Sequence, residues 1–343
     1  MGANSTKPSK AAADLVLNQQ KNLPIALKSE DCKGKTYIVT GANAGLGYEA
    51  AKHLVRLEAA KVIIGVRNAE AGKAAKSTIE TELNRKDVIE VWDFDLDSYD
   101  SVKAFAKKVE GLERVDALVL NAGALIRAWD VKEGNESNVT VNFMSNFLLA
   151  VSVLPHLQAI AKKYDTKPHV VVVGSVGGLF VGEQAKRFSK TGLLDDLNDE
   201  EKWKRDMPER YGMSKFLEHM ATRELAALVP VSESGVVMNV VDPGLCKTAL
   251  TRNIPFFERL KSSIAKVVMG RTPEMGSRTL IHGIAATEES HGKYLTACEI
   301  REDHLPEWMT DESGKKLQKQ IWTELAERLE KIQPGVVTAV IQN

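Results

Sequence analysis

Short apolar runs, rich in β-branched residues, alternate along this chain with longer segments of helical periodicity. The run Val170-Val171-Val172-Val173 is apolar at every position, without alternation. A strand has this pattern when helices cover both of its faces. The runs predict six strands, at residues 36–40, 61–66, 88–93, 115–120, 169–174 and 235–241.

Between the predicted strands, apolar positions recur at the spacing of one helix face. These segments predict helices at about 45–58, 69–84, 98–110, 137–163 and 211–229. The alternation predicts an α/β, single-domain Rossmann fold, which is a doubly wound parallel sheet with helices on both faces. Ligands of such sheets bind at the carboxyl ends of the strands, near the point where the strand order reverses.

The alternation also divides the chain into three regions. Residues 1–33 are polar and predict an N-terminal arm outside the core. Residues 34–300 form the predicted Rossmann-fold domain. Residues 301–343 predict a C-terminal helical tail with one amphipathic helix at about 312–332.

Two long insertions follow predicted strands. Residues 176–210 come after the fifth strand, and residues 245–275 come after the sixth. Loops of this length in a compact domain are usually functional or disordered. We expect these two to form the walls of a substrate pocket, because they follow the carboxyl ends of strands. Their aromatic side chains predict an apolar, ring-containing substrate: Phe180, Trp203, Phe256 and Phe257.

Composition excludes several classes of function. The 343 residues include 46 basic and 46 acidic side chains, so the net charge gives no reason to expect nucleic acid or an anionic membrane as a partner. Three scattered cysteines argue against a disulfide framework and against a metal site. The longest apolar run, residues 170–181, is broken by glycines and is too short for a bilayer. We therefore expect a cytoplasmic protein without a membrane anchor.

A glycine-rich turn, Thr40-Gly41-Ala42-Asn43-Ala44-Gly45-Leu46-Gly47, stands between the first strand and the first helix. Gly41 permits a tight turn, while Gly45 and Gly47 let the backbone and the helix approach phosphates closely. Such turns hold a dinucleotide pyrophosphate at the positive end of a helix. The alternative interpretation is an ordinary strand–helix turn.

Residues after the next strands predict which dinucleotide binds. Arg67 follows the second strand, where a guanidinium suits the 2′-phosphate of NADP(H) and an acid would suit NAD. Asp95 follows the third strand and can accept from the adenine amino group. Asn121, Ala122 and Gly123 follow the fourth strand, where small residues let the backbone pass close to the ribose. The alternatives are a surface arginine and a solvated acidic turn.

Tyr211 and Lys215 lie one helical turn apart, on the same face of a predicted helix. A ketone that accepts hydride becomes an alkoxide, which needs a proton. A free phenol, with a pKa near 10, exchanges protons poorly at neutral pH, and a nearby cation favours its phenolate. A lone pair of this spacing is usually coincidence, but Ser175 at the end of a strand and the upstream glycine turn favour catalysis.

Taken together, these segments resemble the short-chain dehydrogenase/reductase superfamily in identity, order and spacing over about residues 34–300. The resemblance rests on TGANAGLG (40–47), DL (95–96), LNAG (120–123), VNFMSNF (141–147), VVVGSVGG (171–178), YGMSK (211–215) and DPGLCKT (242–248). The pattern Gly65-Val66-Arg67-Asn68, the insertion before Tyr211 and Gly292-Lys293-Tyr294-Leu295 are similar to the retinol-dehydrogenase-like branch. The N-terminal arm and overall style resemble fungal members of secondary metabolism.

The resemblance implies a catalytic tetrad. Tyr211 is the acid/base and Lys215 its helper, Ser175 orients the carbonyl, and Asn142 kinks its helix and positions a water relay. Pro243, Gly244 and Thr248 are expected to contact the nicotinamide carboxamide, whereas Cys246 and His219 are expected to be structural. The implied cofactor contacts are Gly41, Asn43, Gly45, Leu46, Gly47, Arg67, Asp95, Leu96, Asn121, Ala122, Gly123, Tyr211, Lys215, Pro243, Gly244 and Thr248.

The sequence thus predicts an NADP(H)-dependent oxidoreductase that interconverts a carbonyl and an alcohol on an apolar small molecule, in secondary-metabolite biosynthesis. The resemblance also implies a homodimer that pairs through helices 137–163 and 211–229. The alternative is a non-catalytic NADP(H)-sensing regulatory protein, although a sensor needs no proton donor. An epimerase of the extended branch would need a sugar-nucleotide domain, and a membrane-bound retinoid enzyme would need an N-terminal anchor.

Overall fold

The computed structural model describes residue 14 and residues 17–248 and 270–341. Its centre is a parallel sheet whose six strands agree with the predicted ones to within about two residues at either end. The strands are β1 (Thr36–Thr40), β2 (Lys61–Val66), β3 (Ile89–Asp93), β4 (Ala117–Leu120), β5 (His169–Val173) and β6 (Val237–Asp242).

Two short strands extend this sheet at one edge. β7 (Tyr294–Thr296) pairs parallel with β6, and β8 (Glu299–Ile300) pairs antiparallel with β7. The strand order is β8-β7-β6-β5-β4-β1-β2-β3, so the order reverses between β1 and β4. This reversal places the expected ligand site between the carboxyl ends of these two strands.

In the described residues, seven longer helices pack around the sheet. They are α1 (Gly45–Arg56), α2 (Ala69–Glu82), α3 (Tyr99–Glu110), α4 (Ser145–Tyr164), α5 (Met207–Leu228), α6 (Pro273–Ala285) and α7 (Glu312–Ile332). One π-helical segment, Val139–Met144, leads directly into α4. The sequence analysis missed α6 and placed the start of α5 four residues too late.

Shorter elements fill the connections. A small hairpin pairs Val131–Lys132 with Asn135–Glu136. Short α-helical turns lie at Ser29–Cys32, Gly182–Ala185, Leu193–Asp196, Glu200–Trp203, Val231–Ser234, Glu307–Thr310 and Thr338–Ile341. Turns of 3₁₀ helix lie at Val176–Phe180, Lys204–Asp206, Glu288–Ser290 and Glu302–His304.

The two faces of the sheet bury separate apolar cores. Successive strand side chains point to opposite faces, so Ile38 packs with α3 and α4 whereas its neighbours Tyr37 and Val39 pack with α1 and α6. All five positions of β1 are buried. This double burial explains why the strands are apolar without alternation.

The described part of the N-terminal arm packs against the domain. Arg271 donates to the carbonyl of Asn18 at 2.7 Å, and the carboxamide of Gln19 pairs with both backbone groups of Leu245. Asp14 accepts from His304 at 2.8 Å. The arm therefore holds the turn that follows β6.

Trp203 does not line a pocket, and that prediction is wrong. Its side chain is fully buried, 5.9 Å from Phe188 between ring centres, with the guanidinium of Arg187 over its face. In contrast, Phe180 is 49% exposed. Phe256 and Phe257 lie outside the described residues.

Within the described ranges, one segment, Val139–Tyr164, is apolar and long enough to cross a membrane, and the sequence analysis did not single it out. Most of it, 78% of its most apolar window, is buried inside the protein. The core helix of a globular protein meets the same criteria, so its apolar character reflects packing between the sheet and α3.

Candidate active site

The glycine turn after β1 packs closely against the loop after β4 and leaves the start of α1 uncapped. Gly41 has φ +67°, and a Cβ there would lie 2.9 Å from the Cα of Ala122. A Cβ at Gly47 would lie 2.5 Å from Nδ2 of Asn121. Ala44 at the N-cap of α1 has no side-chain acceptor for the first helical N–H groups, so these groups can face an anion. The turn therefore fits a dinucleotide pyrophosphate.

Asn121 ties the ends of β1 and β4 together. Its Nδ2 donates to the carbonyl of Thr40 at 2.8 Å and to that of Gly41 at 3.3 Å. The hydroxyl of Thr40 accepts from the backbone of both Asn121 and Ala122, each at 3.0 Å. These bonds fix the backbone on both sides of the point where the strand order reverses.

Acidic residues surround Arg67 at the ends of β2 and β3. Its Nη1 lies 3.3 Å from Asp97 Oδ2 and 4.0 Å from Asp95 Oδ1. The sequence analysis did not single out Asp97. Leu96, between them, is buried, and its carbonyl accepts from the hydroxyl of Ser145 at 2.7 Å. Arg67 and Asp95 thus flank the region where an adenosine ribose would lie, while Asn43 is exposed in the glycine turn.

Asn142 lies in the π-helical segment before α4, and its role in distorting that helix stays a prediction. Its Oδ1 accepts from the backbone of Ala124 at 2.8 Å, and its Nδ2 donates at 2.9 Å both to the carbonyl of Ala124 and to the hydroxyl of Ser214. The side chain thereby joins the loop after β4 to α5. Its part in a water relay stays a prediction.

Ser175 and Tyr211 approach each other from different elements. Ser175 stands two residues beyond the end of β5, and its hydroxyl accepts from the backbone of Gly177 at 3.2 Å. Burial raises the pKa of Tyr211, while the charge of Lys215 and a hydrogen bond from Ser175 act in the opposite direction. The charges of Glu218 and Asp242 raise that pKa further.

Lys215 is buried beneath this tyrosine. Its Nζ donates to the carbonyl of Val173 at 2.9 Å and to Oε1 of Glu218 at 3.0 Å, and it lies 5.8 Å from the centre of the Tyr211 ring. Burial disfavours the ammonium, but the neighbouring Glu218 carboxylate outweighs this effect, and the pKa of Lys215 is raised. Burial raises the pKa of Glu218 to about 7.

Gly123, in the loop after β4, lies close to both Asn142 and Lys215. A Cβ at Gly123 would lie 2.9 Å from Oδ1 of Asn142 and 3.7 Å from Nζ of Lys215. The loop after β4 therefore runs directly over the buried lysine, next to the glycine turn. Three of the four predicted tetrad members, Ser175, Tyr211 and Lys215, meet at this point, and Asn142 lies just behind the same loop.

The turn after β6 completes the site. Gly244 has φ +75°, and its N–H donates to Asp242 at 3.2 Å. Thr248 reaches the glycine turn, where its Cγ2 would lie 3.5 Å from a Cβ at Gly45. Cys246 is buried against Gly276, in agreement with its predicted structural role. Residues 249–269 lie outside the described part of the chain.

A buried ion pair supports the start of α5, and the sequence analysis missed it. Nε and Nη2 of Arg210 donate to Oε2 of Glu136 at 3.0 and 2.7 Å, and neither side chain is exposed. Nη2 also donates to the carbonyl of Leu197 at 2.9 Å. Because Arg210 directly precedes Tyr211, this pair links the 176–210 insertion to the loop that approaches Asn142.

His219 is structural, as predicted. Its ring stacks on Tyr294 with centres 5.4 Å apart, and burial with the charge of Arg223 lowers its pKa to about 3. Among the described residues, no cluster of histidine, cysteine, aspartate and glutamate has the arrangement of a metal site.

Comparison with known proteins agrees with this architecture. The family model for short chain dehydrogenases matches residues 35–191. The short chain dehydrogenase/reductase dmxR8 of Cryptosporiopsis is 39% identical over 89% of this chain and 93% of its own length. The short chain dehydrogenase atnD of Emericella nidulans is also 39% identical, over 78% of this chain and 85% of its own length.

Solved structures show the same fold. Pseudomonas aeruginosa RhlG, in an active-site complex with NADP, is 26% identical and has a TM-score of 0.55 over 80% of this chain and 97% of that one. The NADP-bound 3-oxoacyl (acyl-carrier-protein) reductase of Agrobacterium tumefaciens is 20% identical, with a TM-score of 0.57 over 78% of this chain and 94% of that one. The chain therefore belongs to the short-chain dehydrogenase/reductase family of oxidoreductases.

Proposed function

We propose that this protein is an NADP(H)-dependent oxidoreductase that interconverts a ketone or aldehyde with the corresponding alcohol, with Tyr211 as the acid/base. The observation that carries the proposal is the arrangement of Ser175, Tyr211 and Lys215 beside the glycine turn. Lys215 is 5.8 Å from the tyrosine ring, and its ammonium adjoins Gly123 in the loop that faces the turn. A proton donor, a cation and a nucleotide cradle share one site.

The cradle residues assign the cofactor. Gly41, Gly45 and Gly47 would hold the pyrophosphate, and the turn at 243–248 would hold the nicotinamide end. The guanidinium of Arg67 is 63% exposed and suits a 2′-phosphate. RhlG, with 26% identity, is a relative whose structure contains NADP. When bound, NADP(H) supplies or accepts the hydride.

The protein side chains manage the oxygen and the proton. Ser175 is placed to donate a hydrogen bond to the substrate oxygen. In reduction, the O–H bond of Tyr211 breaks, its proton passes to the developing alkoxide, and the phenolate remains beside the Lys215 ammonium. In oxidation, the hydroxyl proton of the alcohol passes back to the Tyr211 phenolate. The pKa of Tyr211 is raised by burial, which favours the phenol that reduction requires.

An apolar, ring-containing substrate and a place in secondary-metabolite biosynthesis are parts of this proposal. Phe180, exposed at the end of the turn that follows Ser175, supports the first. The relatives dmxR8 and atnD, from fungi, support the second. A cytoplasmic location stays a prediction.

A homodimer through residues 137–163 and 211–229 also stays a prediction. In this structure α7 packs along α5, where Gln318 donates to Glu224 at 2.7 Å, and the helical turn Thr338–Ile341 packs on α4. Two copies could pair through these helices only if the tail moved away.

The decisive test measures NADPH consumption by the purified protein with a panel of apolar ring ketones. We expect turnover by the wild type and a loss of about 10²–10⁴-fold in kcat for Tyr211→Phe, the usual contribution of a positioned acid/base. NADPH affinity, from calorimetry, should not change in this variant. Tyr164→Phe is the matched control, because that phenol is bound to Glu113 at the surface. NADPH binding without turnover of any ketone would favour the sensor alternative.

A further inference from the structure

Glu218 is a buried acidic group that the proposed mechanism does not use. It follows Lys215 by one turn of α5, and its side chain is only 2% exposed. Its two carboxylate oxygens lie 3.0 and 2.9 Å from the lysine Nζ. Burying a carboxylate is costly, even with a partner. The cost of burying Glu218 beside Lys215 suggests that its carboxylate has a role in the site.

The carboxylate restricts the lysine ammonium. Of the three N–H donors of Lys215, one goes to the carbonyl of Val173 at 2.9 Å and another to Glu218. These two anchors come from β5 and α5. They set the ammonium 5.8 Å from the centre of the Tyr211 ring and leave the third donor for a ribose hydroxyl.

The carboxylate also offsets the lysine charge that Tyr211 experiences. Lys215 favours the phenolate, whereas Glu218, on the same helix, and Asp242, at the end of β6, favour the phenol. Ser175, at the end of β5, contributes a hydrogen bond and no charge. With a pKa of about 7, Glu218 is ionised throughout the alkaline range in which Tyr211 titrates.

We propose that Glu218 is a positioning residue that fixes the Lys215 ammonium and offsets its charge, so that Tyr211 holds its proton and is set to donate it. The site is thereby biased toward carbonyl reduction. This inference rests on the proposed function, because it concerns proton transfer by Tyr211. The role of the Glu218 charge can be separated from the role of its packing, because a glutamine at this position has the same shape and no charge.

The test is Glu218→Gln. Removing the negative charge lowers the pKa of Tyr211, so the midpoint of its ionisation should fall by about one pH unit. Ultraviolet difference spectroscopy measures this midpoint without any substrate, when each protein is compared with its own Tyr211→Phe counterpart. The acidic limit of alcohol oxidation should move down by the same amount, while the Kd for NADPH changes less than about threefold.

Glu224→Gln is the matched control. Glu224 is also buried on α5, and it accepts from Gln318 at 2.7 Å at a position nine residues beyond Lys215. Removing the charge of Glu224 should leave the ionisation midpoint of Tyr211 unchanged. Glu218→Asp and Glu218→Asn form a second pair that differs only in charge, and this pair measures the same shift if Glu218→Gln does not fold.

The outcomes separate the two proposals. An unchanged or higher midpoint in Glu218→Gln, or an equal shift in Glu224→Gln, overturns the role of Glu218. The expected midpoint shift in a protein that reduces no ketone supports the electrostatic role of Glu218 and contradicts the proposed function. Ketone reduction without the shift leaves the proposed function intact and overturns this inference alone.

Discussion

Arg67 and Asp97 form an ion pair across the carboxyl ends of β2 and β3, with Nη1 3.3 Å from Oδ2. The guanidinium is 63% exposed, and the carboxylate of Asp95 lies 4.0 Å away. Exposed pairs of this kind contribute only about 0–1 kcal/mol, because water and salt screen them. The pair therefore holds Arg67 at the strand ends without preventing it from binding a phosphate.

Arg67→Glu should raise the Kd for NADPH by at least about tenfold, because a charge-assisted hydrogen bond contributes about 1.5–3 kcal/mol. The difference between the Kd for NADPH and the Kd for NADH should become smaller in this variant. Calorimetric titration of both cofactors measures the two effects. Lys73→Glu is the control, since this neighbouring cation is similarly exposed at 66% and pairs with Glu70. Equal binding of NADH and NADPH by the wild type would contradict the assignment.

The sequence was sufficient for the sheet and for most of the candidate site. The interior strands β1, β4, β5 and β6 are buried on both faces, so their runs of apolar residues are recognisable without knowledge of distant contacts. Tyr211 and Lys215 share one helix face, and Asn121 follows its strand directly, so their placement depends on local geometry. The position of Arg67 could be predicted for the same reason, although the sequence does not show that Asp97 in the acidic turn is its partner.

Contacts between distant segments could not be predicted. Glu136 and Arg210 are 74 residues apart and resemble solvated charges in the sequence, yet they form a fully buried pair. Glu218 resembles an ordinary polar helix position in the sequence, yet it is buried and accepts from Lys215. The sequence predicts Trp203 in a pocket wall, but it is fully buried against Phe188 within the 176–210 insertion.

Breaking the Arg210–Glu136 pair should destabilise the protein strongly. Arg210→Met leaves the carboxylate of Glu136 buried without its partner, which typically costs about 3–5 kcal/mol of unfolding free energy. Urea unfolding measures this loss. Replacing both residues, in Arg210→Met with Glu136→Leu, should cost less than the sum of the two single changes, because no charge stays buried alone. Strict additivity of the two losses would argue against the pair.

A surface ion pair provides the comparison for that measurement. Lys107 lies 2.8 Å from Glu110, and its side chain is 81% exposed. Lys107→Met should change the free energy of unfolding far less than Arg210→Met does, because water and salt screen this pair. The contrast between the two sites isolates burial as the cause, since both pairs have short N–O distances.

His219 should make the fold sensitive to acid. Burial lowers its pKa from an ordinary 6.5 to about 3. Between these two pH values, His219 is protonated in the unfolded chain and neutral in the folded protein. Stability from this group is thus lost as the pH falls from 6.5 toward 3. His219→Phe keeps the stack on Tyr294 without a titrating group. When the pH falls from 7 to 4.5, the free energy of unfolding should decrease in both proteins. The decrease should be about 2–3 kcal/mol smaller in His219→Phe than in the wild type. Identical losses in urea unfolding would show that another group is responsible.

Phe180 should select the substrate. It ends the turn that follows Ser175, and its 49% exposure leaves a large apolar surface in solvent. Burying a phenylalanine side chain contributes about 1.5–3 kcal/mol, so Phe180→Ala should raise KM for ring ketones about tenfold. Neither kcat nor NADPH affinity should change, because the contact is made equally in the ground and transition states. Val131→Ala, which truncates a similarly exposed apolar side chain (52%) on the 131–136 hairpin, is the control. An unchanged KM across the ketone panel would place the substrate pocket elsewhere.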